Sequence, residues 1–239
     1  DLHELTINWR ASTIAAARDA PDERIYRRDN GEFSSRVDGN LRNWSTLDDK
    51  VKDFGLDLSM VFYNGPAGSI ITPRVGYMHV DKKRQSEIRR FGFAFAGAKA
   101  NDVSLLLKPL EEILVPENIV QNGFTIREIT RPTDNYQAEN EMDAFYGEVE
   151  VNFDDRFRFT VGGRQENFRQ LVDTFDLFRP GVGSRASQDT NNLLPALSLT
   201  YTLGEHQFRF GYSQTVSRPD FRELSPAAFT NPLNGRDII

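Results

Sequence analysis

Cysteine is absent from the 239 residues, which excludes disulfides, thiol nucleophiles and cysteine metal sites at once. An oxidising envelope compartment that uses no covalent staple fits this lack, and so does a cytosolic setting. No run of about 20 mostly apolar residues occurs, so no transmembrane helix is expected. The mean hydropathy of −0.53 points the same way. That lack leaves a β-barrel open, because a spanning strand needs only about ten residues with alternate ones apolar. Basic residues are in deficit, 29 against 35 acidic for a net charge of −6, which argues against a nucleic-acid partner. The three histidines, His3, His79 and His206, are far apart and make no metal-ligand spacing, so each is expected to be structural or solvent-facing and no metal site is expected. No Gly-x-Ser-x-Gly elbow and no P-loop are present, and the glycine-rich stretches at Gly65 and Pro180 do not open a helix. Asp1-Leu2-His3-Glu4 is neither basic nor followed by an apolar stretch, so no signal peptide opens the chain. Neither a catalytic site nor a cofactor is expected, and an enzyme is disfavoured.

What is present is alternation. Leu193, Pro195, Leu197, Leu199, Tyr201 and Leu203 share one parity, against Ala196, Ser198, Thr200 and Thr202. Gly204-Glu205 breaks the run, and Phe208, Phe210 and Tyr212 then alternate with Gln207, Arg209, Gly211 and Ser213. Successive strand residues face opposite sides, so this is a hairpin with one apolar and one polar face. Leu5, Ile7, Trp9, Ala11 and Thr13 form another such strand. In a third, Phe54, Leu56, Leu58, Met60 and Phe62 oppose Asp53, Asp57 and Ser59. Phe145 to Phe153 and Phe157 to Gly163 make a second hairpin across Asp154-Asp155, with Glu148 and Glu150 expected near Arg158 and Arg164 as a charge ladder. Val75 to Phe95 reads as a strand going out, a charged tip around Asp81 to Arg90, and a strand returning.

The connections are unequal. Tight turns fall at Asn64–Gly68, Asp154-Asp155 and Gly204-Glu205, whereas Arg18–Leu47, Ala96–Glu139, Asp173–Thr190 and Arg218–Ile239 read as long loops. Within the second loop, Leu106, Leu110, Ile113 and Leu114 recur at helical spacing, predicting one short helix over Asp102 to Asn118 with Pro116 as its stop. Aromatics at Phe33, Trp44, Phe175, Phe178 and Phe229 fall in loops and are expected to pack the loops on themselves. Short turns at one end and long loops at the other is the asymmetry of outer-membrane barrels. The asymmetry favours an all-β fold, an antiparallel transmembrane barrel, over a soluble sandwich, which more often mixes short and long connections at both ends.

The stretch "NNLLPALSLTYTLGEHQFRFGYSQTVSRPDFRELSP" resembles the later barrel of TonB-dependent outer-membrane receptors. "PENIVQNGFTIREITRPTDNYQAENEMDAFYGEVEVNFDDRFRFTVGGRQE" and "RVGYMHVDKKRQSEIRRFGF" are similar to earlier parts of the same barrel, in the family's order. The resemblance implies that residues 1–239 are part of a receptor barrel domain whose plug, TonB box and C-terminal strands are absent. It marks Arg218-Pro219-Asp220-Phe221 as the exit of a barrel strand, where Pro219 ends the pairing. It further implies outer-membrane localisation, contact with membrane lipid, and a TonB partner acting through the missing N-terminal region. The function it implies is energised uptake of a scarce nutrient of the siderophore, cobalamin or oligosaccharide class, with a lean toward sugars; ligand-contacting residues stay unknown. Two alternatives come from other classes: a soluble β-rich module binding carbohydrate, and a passive porin. On the receptor reading the long loops are extracellular and the tight turns periplasmic.

Overall fold

The computed structural model describes residues 4–63, 68–154, 156–224, 229–230 and 237–238. Seven long strands form an up-and-down antiparallel sheet: β1 (Glu4–Ile25), β4 (Leu41–Val61), β5 (Ile70–Phe95), β7 (Tyr136–Phe153), β8 (Phe157–Thr174), β9 (Arg185–Leu203) and β10 (His206–Ser213). Each pairs with its sequence neighbour, and β6 (Phe124–Glu128) continues the edge of β5 above the end of β7. A small hairpin of β2 (Arg28–Asp29) and β3 (Glu32–Phe33) sits apart from the sheet. Among the described residues the sheet does not close, so β1 and β10 are its edges.

The connections obey the expected asymmetry, with shorter loops than expected. β1 runs on to Ile25 and β4 begins at Leu41, so the first loop spans 26–40 rather than Arg18–Leu47. Trp44 accordingly lies in β4, edge-on to Phe91 of β5. The third long connection shrinks to 175–184. Val75–Phe95 is no hairpin but part of a single strand of 26 residues. Its middle is polar at both parities because both faces are polar there, and that imitates a tip. With one strand in place of two, the three tight turns share one end of the sheet and the three long connections share the other. Of the first turn, 64–67 lie outside the described residues, as do Asp155 of the second and most of 225–239.

The expected helix over Asp102–Asn118 is broken in two. Asp102 caps α1 (Val103–Leu106), its carboxylate accepting from the Ser104 amide. Pro109 cannot donate to a continuing helix, so the chain turns extended there and restarts as α2 (Leu110–Ile113). These two turns and the β2–β3 hairpin pack Phe33, Phe93, Ala100, Leu106, Ile113 and Phe124 into a small apolar core at the loop end. Phe33 thus packs the loops together as expected, whereas Phe178 stays exposed.

Register divides one sheet face into two zones. On the turn side, Leu5, Ile7, Trp9, Leu56, Val75, Phe145, Val149, Val161, Leu193, Leu197, Phe208 and Phe210 share a face. Trp9, Leu193, Phe208 and Phe210 are each more than half exposed, so this surface has no protein cover. Along β7 the band occupies the nine residues Phe145–Phe153, about the length a tilted strand needs to cross a hydrocarbon core. At its upper border Tyr77 packs on Phe54 and Phe145, with ring centroids 6.4 and 4.7 Å apart. Beyond that border the same face turns polar: Lys52, His79 and Asp143, then Lys50, Lys83 and Glu139.

Candidate functional site: the inner face and its strap

The opposite face carries charge along its length, with ion pairs both near the turns and toward the loop end. Near the turns, Arg74 donates to Glu148 at 2.9 Å and to Glu150 at 3.4 Å. Glu148 and Glu150 therefore pair with β5 and not with Arg158 and Arg164 as expected, because register sets Arg158 opposite Asn152 and Arg164 opposite Tyr146. One strand along, Asp57 accepts from Tyr146 at 2.7 Å and from Arg10 at 3.3 Å. Two glycines make room for these contacts. A Cβ on Gly55 would lie 2.6 Å from the Arg10 guanidinium carbon, and one on Gly76 would lie 2.2 Å from the Tyr146 ring. Arg10 and Tyr146 thereby lie flat against the wall. Phe54, Leu56 and Leu58 share the uncovered face, while Asp57 and Ser59 sit on this one, the division expected from alternation.

Toward the loop end, the chain beyond β10 folds across this face. β10 stops pairing at Ser213, and the Gln214 amide still donates to the Pro195 carbonyl. Arg218 then donates to Glu166 at 2.7 Å and stacks 4.5 Å over the Phe168 ring. Gln170 donates to the Pro219 carbonyl at 3.2 Å, and Asp220 accepts from Arg84 at 3.3 Å. Phe221 opens a single helical turn, α3 (Phe221–Leu224), and is 1% exposed among Tyr136, Ala138 and Val172. Lys82 and Arg84 lie over its ring at 5.2 and 5.5 Å. The Ser-Arg-Pro-Asp-Phe segment is thus an internal strap spanning β8, β7 and β5, rather than a simple strand exit. Pro219 supplies the bend and loses no ladder bond, since pairing has already ended.

Under the strap lies a cavity of about 200 Å³ lined by Arg18, Arg84, Arg90 and Arg222 together with Ser86 and Tyr136. Asp49 holds Arg84 by two bonds of 2.7 Å, and Asp134 holds Arg90 at 2.9 Å. Fixed guanidinium groups around a small polar space can accept carboxylate, phosphate or hydroxyl groups without reorganising. Sequence reading missed this convergence, since it depends on the register of β1, β4 and β5 and on the strap. Asp48 and Asp49 are neighbours in β4 and face opposite ways, with only Asp49 turned to the cavity side.

Other singled-out residues fall elsewhere. His206 opens β10 beside the third turn, and His3 lies outside the described residues. His79 meets Asp143 at 2.9 Å across β5 and β7, and Glu141 completes a trio whose ligand-capable atoms lie within 4.8 Å of one another. Only strand register brings these three together, so spacing along the chain gives no hint of them. Gly65 lies outside the described residues, and the glycines after Pro180 sit in the 175–184 loop without opening a helix.

No curated protein matches the chain. The family model described as TonB dependent receptor-like, β-barrel, matches residues 4–237. That match spans nearly the whole up-and-down sheet, its uncovered apolar band and its charged inner wall. The chain belongs to the β-barrel family of TonB-dependent receptors, an outer-membrane transport family and not a family of enzymes.

Proposed function

We propose that this chain is an arc of the barrel of an outer-membrane receptor that takes up a scarce nutrient with energy supplied through TonB. One observation carries the reading: the apolar band is confined to the turn-side half of a single face, while the other face is charged throughout. Lipid outside and a wet lumen inside demand this pattern. Two open edges are an aggregation liability that barrel closure removes, so further strands complete the cylinder in the intact receptor. The long connections face outward from the cell and the tight turns face the periplasm. Ligand is captured at the loop end, between the loop core and the arginine cavity under the strap, and is one of the siderophore, cobalamin or oligosaccharide class.

The test uses the intact receptor in a Gram-negative host with and without TonB. Cells are given radiolabelled ferric siderophores, cobalamin and oligosaccharides in turn. Accumulation of one class that needs both receptor and TonB is the expected result. Accumulation that persists without TonB would make the protein a passive pore. A receptor recovered as a soluble monomer without detergent would make it a soluble module.

A further inference from the structure

At the cavity under the strap, one contact is unlike the others. Arg84 is 15% exposed and is held by Asp49 through two bonds of 2.7 Å. Its other carboxylate partner is Asp220 of the strap, which meets it through a single oxygen at 3.3 Å and is 52% exposed. That oxygen, Oδ1, also accepts from the Arg222 amide at 3.1 Å, so the turn of the strap itself holds it near Arg84. The firmer anchors lie on either side: Arg218 on Glu166, Gln170 on the Pro219 carbonyl, and the buried Phe221. A half-exposed pair joined by one long bond is screened by solvent and adds little to such anchoring. Asp220 is thus a carboxylate laid on Arg84 that the strap does not need for its attachment.

The charge around the cavity says what could take its place. Arg18, Arg84, Arg90 and Arg222 line the space, and Asp134 is the acid among the lining residues. Asp134 holds Arg90 at 2.9 Å, Asp49 and Asp220 hold Arg84, and Glu223 accepts from the Asp220 amide at 3.1 Å. Four guanidinium groups therefore meet Asp49, Asp134 and Asp220 while the strap carboxylate is in place, and only Asp49 and Asp134 once it turns out to solvent. A neutral group entering the cavity would displace an anion and supply none. A carboxylate would restore both the charge and the planar geometry that a guanidinium accepts. Ser45, Ser86 and Tyr136 in the same wall can bond neighbouring hydroxyls. The volume of about 200 Å³ is roughly the share of seven waters, room for one acidic ring or hydroxy-acid group at the end of a larger ligand.

We propose that Asp220 is a built-in competitor: its carboxylate holds the place on Arg84 that a carboxylate of the captured nutrient takes, so the cavity admits acidic ligands and turns away neutral ones. The proposal deepens the capture reading above and rests on it. Intact receptor purified in detergent is titrated calorimetrically with trigalacturonate, with citrate and with neutral maltotriose. Asp220→Asn keeps the shape and the bond to the Arg222 amide but loses the charge. It is expected to bind an acidic probe about fivefold more tightly than the parent, the scale of one half-exposed ion pair. The acid that responds tells a uronic-acid sugar from a hydroxycarboxylate. Asp220→Glu should bind as the parent does, and maltotriose should gain nothing in either variant. In an Arg84→Gln background, Asp220→Asn should bring no gain. Trypsin should spare Arg222 in Asp220→Asn as in the parent. Unchanged or weaker binding of both acids by Asp220→Asn overturns the proposal, as does a gain shared by maltotriose or one that survives without Arg84. New cleavage at Arg222 overturns it too, by assigning the gain to a loosened strap. In each of these cases a receptor that still accumulates its nutrient only with TonB leaves the transport reading standing.

Discussion

The turn-side and loop-side halves of this sheet are built from the same strands yet obey different rules. On the turn side, one face carries Val149, Val161 and Phe210 and the other carries paired Arg74, Glu148 and Glu150. On the loop side both faces are polar, and burial is restored by chain that folds over them: Phe221 inside, and Phe33 with Phe124 above. A single strand such as β5 passes through both regimes without a break. The change marks where solvent changes along one continuous ladder, so strand length and membrane thickness are separate quantities here.

The sharpest way to break this comparison is to place one charge at two heights on one strand and one face. Val161→Arg should cost about 2–4 kcal/mol, the range for a cation near mid-depth on a lipid-facing barrel wall, and should sharply lower the yield of folded, membrane-inserted receptor. Asn167→Arg, six residues up β8 with the same parity, should be near neutral. Heat-modifiable migration of the two variants in gels measures both; equal losses would mean that the border is misplaced.

The strap gives the next largest effect. Phe221→Ala removes a fully buried ring, a change that costs about 3–5 kcal/mol in a well-packed core. Here the loss should appear as release of residues 218–224 and not as unfolding of the sheet. Limited trypsin digestion should cut after Arg222 in the variant and spare it in the parent, with the urea midpoint of the barrel unchanged. A lowered midpoint with no new cleavage would tie Phe221 to the sheet itself.

A smaller effect is expected from the inner wall. Arg74→Ala leaves Glu148 and Glu150 without their cation, but these groups are about a quarter to a third exposed. Solvent screening should hold the cost to about 1 kcal/mol, read as a shift in urea midpoint. Glu148→Gln added to that variant should recover part of the loss, because it removes the like-charge contact left behind.

Acid should separate the halves most gently. Ser34 and then Arg27 hydrogen-bond Asp29, and Ser104 does the same for Asp102, so both carboxyls sit below the ordinary value of 3.8. A carboxylate with a lowered folded-state value stabilises above 3.8 and loses that contribution as pH falls below it. Hydrogen exchange at pH 3 should therefore rise in the 26–40 and 96–123 connections before it rises in the turn-side strands. Uniform acceleration along the sheet would remove the distinction.

How much of this was legible depended on contrast between faces. Leu197, Leu199 and Tyr201 against Ser198 and Thr200 announce strand, face and parity without help, as do Phe54 to Met60 against Asp57 and Ser59. Where the two faces are equally polar the signal vanishes, so Asp81 to Arg90 imitated a hairpin tip and Arg18 to Ile25 imitated a loop. The helix over Asp102–Asn118 had the right period, but Pro109 removed the donor that a continuous helix requires. The strap and the arginine cavity were invisible for another reason: Arg218–Glu166 and Asp220–Arg84 join residues 52 and 136 positions apart. No local pattern encodes contacts of that span. The absence of motif chemistry was legible, yet it could not locate the ligand end of the molecule.

The flattened side chains over Gly55 and Gly76 bear on the relief of the inner wall. With no Cβ beneath them, Arg10 and Tyr146 lie along the wall instead of standing up from it, and Asp57 tethers both. The inner face is thereby shallower at these two positions than ordinary side chains would leave it. Arg10 and Asp57 are already engaged with each other and Tyr146 with Asp57, so at this height the wall presents a smooth, self-paired surface.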